Sequence, residues 1–144
     1  MKDAVIFTNG RYRAADYPFY RLLCKERFCV AADGGYKFFK NAKVGCDLVV
    51  GDFDSLKRVP EDIETLVFDK HKDKTDTQLA LEYCLKNKFS RIDIVDPAIG
   101  EPDHFLGNLM LLTLSSIKKV GAAVNLEFDQ LGKYVEKLVA PAYR

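Results

Sequence analysis

The feature that most constrains this chain is a repeated alternation. Short apolar runs rich in β-branched and aromatic residues are separated by longer stretches with apolar residues three to four apart. A four- or five-residue run without polar interruption fits a strand buried on both faces, and the 3–4 spacing fits a helix with one buried stripe. Ala4 to Thr8, Phe28 to Ala32, Asp47 to Val50, Thr65 to Phe68, Arg91 to Val95 and Gly121 to Phe128 are the expected strands. Tyr17 to Arg27, Tyr36 to Asn41, Thr75 to Lys86 and Pro102 to Ile117 are the expected helices, with a last turn or two between Leu131 and Leu138. Thr75 followed by Gln78 fits a capping box, in which each side chain satisfies a free amide at the helix start. Strand–helix alternation with short connections predicts an α/β fold: an open, mainly parallel sheet with helices on both faces, in a Rossmann-like three-layer arrangement. In such sheets ligands bind beyond the carboxyl ends of the strands.

Composition narrows the partners. The 144 residues make one ordinary domain, and the net charge of +1 gives no support for a nucleic-acid surface, which usually shows as a strong basic excess. No apolar run approaches the ~20 residues of a membrane span. The apolar stretch at Ala4 to Phe7 is too short for a signal peptide and is followed at once by Thr8-Asn9-Gly10. A cytoplasmic location is expected, with no membrane or nucleic-acid partner. Cys24, Cys29, Cys46 and Cys84 form no C-x-x-C pair, so reduced thiols in or near the core are expected.

Four polar motifs fall at the expected strand ends. The first is Gly51-Asp52-Phe53-Asp54-Ser55. In an extended backbone, side chains two apart point the same way, which sets Asp52 and Asp54 on one side, roughly 6–7 Å apart at the backbone. Phe53 would point back into the core, and Gly51 would let the backbone approach a bulky ligand. Two close carboxylates repel and need a cation or a shared proton, and Mg2+ prefers oxygen ligands of this kind. A solvated acidic turn with a Ser cap is the competing account. The second motif, Asp73-Lys74-Thr75-Asp76, precedes a helix start, where free amides suit phosphate. Asp73 is a candidate metal ligand there and Lys74 a candidate for neutralising phosphate; capping by Thr75 and Asp76 is expected either way.

The third motif, Asp33-Gly34-Gly35, is a small turn able to bring amides against a nucleotide. No G-x-x-x-x-G-K-[ST] loop and no G-x-G-x-x-G is present, which argues against a P-loop enzyme and the usual dinucleotide fold. The fourth is Gly100-Glu101-Pro102-Asp103-His104, with Asn108 one turn on. Asp103, His104 and Asn108 are candidates for facing a substrate from a helix start; capping by Asp103 and a surface role for His104 are the alternatives.

Taken together and in this order, the motifs resemble the thiamin pyrophosphokinase family. The resemblance rests on Ala32-Asp33-Gly34-Gly35, on Gly51 to Ser55, on Asp73 with Thr75-Asp76, and on Asp103-His104 leading to Asn108, and it covers roughly residues 4–128. It implies transfer of a diphosphoryl group from ATP to the hydroxyl of thiamin, leaving AMP. It also implies a homodimer whose α/β catalytic domain, here residues 1–128, precedes a β-sandwich domain. Residues 129–144 would be a C-terminal tail or the start of a linker to such a domain. Carried over by position, Asp52, Asp54 and Asp73 would hold Mg2+. Asp33, Gly34, Gly35, Ser55, Lys74, Thr75 and Asp76 would line the nucleotide, and Asp73 and Asp103 would serve the chemistry. Asp103 would orient or deprotonate the acceptor hydroxyl, with His104 and Asn108 beside the substrate. Glu101 and Pro102 stand where the family has a small residue and an Arg. Two alternatives therefore stay open: a related diphosphokinase for a pterin alcohol or another hydroxymethyl heterocycle, and a non-catalytic nucleotide- or thiamin-binding module.

Overall fold

The computed structural model describes residues 2–53, 58, 60–69, 74–97, 106–111 and 123–127. Six parallel strands form one sheet: β1 (Ala4–Phe7), β2 (Phe28–Ala32), β3 (Leu48–Gly51), β4 (Glu64–Val67), β5 (Arg91–Val95) and β6 (Ala123–Glu127). Their spatial order is β4-β3-β2-β1-β5-β6. The chain leaves β1 on one side, through β2 and β3, and returns on its other side at β5. That reversal makes the carboxyl ends of β1 and β5 the topological switch point, where open α/β sheets form their crevice.

Side-chain alternation along the strands divides the core in two. Ala4 and Ile6, Val30 and Ala32, Leu48 and Val50, and Ile92 and Ile94 face one layer, with Ala80, Leu81 and Cys84 of α3 (Asp76–Lys86) and with Leu111 from helical residues 106–111. Val5 and Phe7, Cys29 and Ala31, Val49 and Val95 face the other. That second layer is covered by α1 (Tyr17–Cys24) and α2 (Tyr36–Ala42) through Tyr20, Cys24, Phe38, Phe39 and Ala42. The three-layer expectation is therefore met. Within the second layer Phe7 stacks on Phe38 with centroids 4.2 Å apart and planes 5° off parallel, and Tyr20 and Phe39 meet Phe7 edge-on. Such pairs add about 0.5–1.5 kcal/mol each beyond the area they bury.

The expected first helix ends earlier than Arg27. Lys25 is extended and Glu26 is left-handed (φ 61°), which turns the chain into β2. That turn frees Arg27 to reach across the sheet and pair with Asp93, a buried carboxylate on β5 that also accepts from Arg91 Nε at 3.0 Å. A charge buried in a sheet costs several kcal/mol unless paired, so Asp93 depends on these two guanidinium groups. Of the expected fourth helix, residues 106–111 are helical. Its remainder, the turn at Leu131 to Leu138 and the segment 129–144 lie outside the described residues. All four cysteines are free, as expected.

Two consequences can be measured. Phe38→Ala is expected to destabilise by about 3–5 kcal/mol, since a stacked, fully buried ring leaves a cavity that its neighbours cannot close; urea unfolding checks this. Burial pushes the Cys84 thiol up to about 12 from an ordinary 9.0. The folded chain then keeps this proton where the unfolded chain releases it. The contribution of Cys84 is complete below the ordinary value and declines as pH rises from there towards 12. Unfolding free energies measured across that interval should fall less steeply for Cys84→Ala than for the wild type.

Candidate functional site

The polar residues converge where β2 and β3 end and α3 begins. β2 runs directly into a 3-10 turn over Asp33–Gly35. Asp33 takes a left-handed conformation (φ 43°), tolerated by a short polar side chain and poorly by most others. Gly35 is required by contact with backbone, and Gly34 packs against a side chain. A Cβ on Gly35 would lie 2.1 Å from the Phe7 carbonyl oxygen, and one on Gly34 would lie 2.0 Å from Asn9 Oδ1. The turn is thus pressed against the end of β1. β3 is pressed against the turn in the same manner, because a Cβ on Gly51 would be 3.0 Å from Asp33 Cβ. Gly51 was expected to admit a ligand; it admits the backbone of Asp33 instead.

Asp33, Asp52 and Asp76 come together as a result. One carboxylate oxygen from each lies within 4.8 Å of the other two. Asp33 is 6% exposed, and its Oδ1 has no hydrogen-bond partner among the described residues. A buried anionic oxygen without a donor is costly, and a cation is the direct remedy. Octahedral Mg2+ with bonds of 2.0–2.1 Å holds its oxygens roughly 3 Å apart when adjacent and roughly 4 Å apart when opposite. Three carboxylate oxygens already within 4.8 Å of one another need only side-chain adjustment to meet on one such ion, so the donor chemistry fits it.

The sequence-based assignments divide as follows. Asp52, expected as a metal ligand, is in the cluster. Asp33 and Asp76, expected to line the nucleotide, stand beside it as equal members. Gly34 and Gly35 shape the turn. Thr75 is the N-cap of α3, its Oγ1 accepting from Gln78 N at 3.1 Å. The reciprocal half of the capping box is absent, because the Gln78 amide donates to Glu82 Oε1 at 3.1 Å. Lys74, expected to neutralise phosphate, bonds Glu82 at 2.7 and 3.0 Å and lies along the helix. Asp54, Ser55, Asp73, Asp103 and His104 lie outside the described residues. The reason for pairing Asp52 with Asp54 does need correction. Phe53 is left-handed (φ 63°), so the backbone is not extended there and strict alternation does not apply. Phe53 itself is buried in the α1/α2 layer, as expected.

Asn108, a candidate substrate contact, is buried at the switch point, where its Nδ2 donates to Asp96 Oδ2. Asp96 was not anticipated. It follows β5 as Asp33 follows β2 and Asp52 follows Gly51 of β3, so an apolar run closed by Asp was the available signal. Tyr12 closes the same end of the sheet, donating to the carbonyls of Thr8 at 2.7 Å and Val95 at 3.1 Å. Burial raises its phenol well above the ordinary value, which keeps the hydroxyl a donor.

Fold and site together define an α/β domain with a carboxylate cluster at the carboxyl edge of a parallel sheet. A family model described as the catalytic domain of thiamin pyrophosphokinase matches residues 19–124, and the chain belongs to that family. The thiamine pyrophosphokinase of Bacillus subtilis (strain 168) is 40% identical over 68 residues, 43% of this chain and 32% of that protein. The crystal structure of thiamine pyrophosphokinase from Bacillus subtilis is similar with a TM-score of 0.70 at 24% identity, covering 88% of this chain and 60% of that one. A thiamin pyrophosphokinase family protein from Enterococcus faecalis gives a TM-score of 0.67 at 26% identity, with 88% and 61% covered. The match thus spans about a third of the curated relative and three fifths of these solved chains.

If the cluster is a cation site, removing one carboxylate should relieve repulsion in metal-free protein. Asp33→Asn removes one of three clustered carboxylates, so the metal-free variant is expected to be at least as stable as the wild type. Mg2+ should raise the melting temperature of the wild type and not that of the variant. Equal Mg2+ shifts in both would remove Asp33 from the site.

Proposed function

We propose that this chain carries the catalytic machinery of a thiamin diphosphokinase, moving a diphosphoryl group from ATP to the hydroxyl of thiamin. Family membership over residues 19–124 supports the reaction class. The observation that carries the site is the three-way approach of Asp33, Asp52 and Asp76, with an Asp33 oxygen that has no hydrogen-bond partner among the described residues.

In this reading Asp33, Asp52 and Asp76 hold Mg2+, with Asp54 and Asp73 as further ligands. The ion would supply positive charge to the phosphate oxygens. The chain's own groups position the reactants, which is most of what a protein contributes to phosphoryl transfer. The amino end of α3 presents its positive pole to the nucleotide, lined by Gly34, Gly35, Ser55, Lys74 and Thr75. A bond forms between the thiamin oxygen and the β-phosphorus of ATP. The bond from that phosphorus to the α,β-bridging oxygen breaks, and AMP departs with the bridging oxygen. The hydroxyl proton passes to Asp103, with His104 beside the acceptor. Asn108 acts through Asp96, fixing the floor of the crevice at the β1/β5 switch point.

We further propose a cytoplasmic homodimer. Family membership supports the dimer. Among the described residues no helix is long and apolar enough to cross a membrane, which is consistent with the location.

The test is AMP release from ATP and Mg2+ in the presence of thiamin. Asp52→Ala is expected to lower the rate by about a hundredfold or more, the order lost when a preorganised charge is removed from a transfer site. Release at the wild-type rate by Asp52→Ala would refute the metal assignment. Release that favours another hydroxymethyl heterocycle over thiamin would refute the acceptor.

A further inference from the structure

The cysteines take no part in the function proposed above, yet Cys24, Cys29 and Cys46 gather at the amino end of the sheet, opposite the acidic cluster. α1 ends on Cys24. The left-handed Glu26 then turns the chain so sharply that Arg27 N donates back to the Cys24 carbonyl at 3.3 Å. Cys29, the second residue of β2, returns to the same carbonyl. Its Sγ lies 3.7 Å from Cys24 O and 3.7 Å from Arg27 O. The two side chains meet inside this turn, 7% and 3% exposed. Cys46 stands just before β3, where its Sγ donates to the carbonyls of Leu48 at 3.3 Å and Cys29 at 3.8 Å.

Buried cysteines are ordinarily inert, because burial disfavours the thiolate that reacts. Burial does push the Cys46 and Cys84 thiols up to about 12. Cys29 moves the other way. A hydrogen bond from the Cys24 side chain holds its thiol below the ordinary 9.0 and outweighs the burial of the sulfur. Asp47 opposes that shift, and Arg27 and Lys2 assist it. Cys24, which keeps its proton in this bond, is held well above the ordinary value by the bond and by burial. One thiol of the pair is thus the better nucleophile, and the other stands beside it. That is the arrangement of a reactive thiol with a resolving partner.

We propose that Cys24 and Cys29 form an oxidation site that reacts with a hydroperoxide and closes a reversible disulfide between the end of α1 and β2. Cys29 Sγ attacks the peroxide. An S–O bond forms and the O–O bond breaks, and the leaving oxygen departs as water or an alcohol, taking up a proton. Cys24 Sγ then attacks the sulfenic sulfur. The S–S bond forms and the S–O bond breaks, and the hydroxyl leaves as water with the Cys24 proton. The thiols lose two electrons in sum, and the peroxide gains them. Neither remaining cysteine competes. The Cys46 S–H is committed to two carbonyls, and Cys84 lies in the layer on the other face of the sheet. Where glutathione keeps thiols reduced, such a bridge is transient, which suits a redox-responsive pair rather than a permanent staple.

Hydrogen peroxide added to the folded protein tests the idea, read by intact mass and by tryptic mapping after alkylation of the remaining thiols. Lys25 and Arg27 stand between the two cysteines, so trypsin separates residues 22–25 from residues 28–37, and only a disulfide rejoins them. The protein is expected to lose the two thiol hydrogens, to yield the joined peptides, and to recover both thiols in dithiothreitol. Cys46→Ser should keep the bridge. Cys24→Ser should lose it and leave Cys29 as a sulfenic acid that dimedone captures. The same treatment in urea reports the unfolded chain, where the pairing imposed by the turn is gone. No bridge in the folded protein, a bridge to the peptide carrying Cys46 or Cys84, or a bridge formed only in urea overturns the proposal. The wild-type mapping needs no variant to fold. Neither Mg2+ binding nor AMP release enters the measurement, so this inference stands or falls separately from the catalytic reading.

Discussion

Everything polar in this molecule depends on how closely three backbone segments approach at one end of the sheet. The Asp33–Gly35 turn touches the last carbonyl of β1, and Gly51 touches the turn. These are contacts with backbone, which has no rotamer by which to yield, so any side chain at Gly35 forces the strands apart. The left-handed Asp33 is held from both sides by this packing. Strained residues persist only where their surroundings determine them, and they gather at working sites. Here the strain delivers a buried carboxylate to the point where Asp52 and Asp76 also arrive.

The sheet beneath makes that approach possible. Its strands are parallel and buried on both faces, so their apolar side chains alternate between an aromatic layer under α1 and α2 and an aliphatic layer under α3. The stack of Phe7 on Phe38 ties the last residue of β1 to α2, the helix that follows the Asp33 turn. Core packing and site geometry are therefore one problem at this edge. The buried Asp93, held by Arg27 and Arg91 within the same sheet, contributes to the fold and has no part in the site.

Much of the fold was legible, because buried parallel strands have few alternatives. All six strands lie where their apolar runs stand, and α2 and α3 differ from expectation by a residue at their ends. The misses have local causes. The first helix stops early because Glu26 adopts a left-handed conformation that no periodicity signals. The Gln78 side chain points along the helix instead of back to the cap, its Nε2 donating to Glu82 one turn on. Lys74 turns to the same Glu82, whose carboxylate gives its ammonium an ion pair two turns along the helix. Asp96 closes an apolar run as Asp33 does, and its pairing with Asn108, twelve residues on, is set by the fold.

What the sequence determined by itself was the alternation of strand and helix, the placing of acidic and glycine-rich turns at strand ends, and an order of motifs specific to one family. Those are local or nearest-neighbour properties, written in hydrophobic period and in residue type. The tertiary structure alone decided which carboxylates meet. The spacing of Asp52 and Asp54 assumed an extended backbone, and Phe53 is left-handed. Asp33, Asp52 and Asp76 are far apart in sequence, and strand order with two close backbone contacts brings them within 4.8 Å. Charges that attract or repel through space answer to the packing of strands and helices, and a reading along the chain contains only half of that distance.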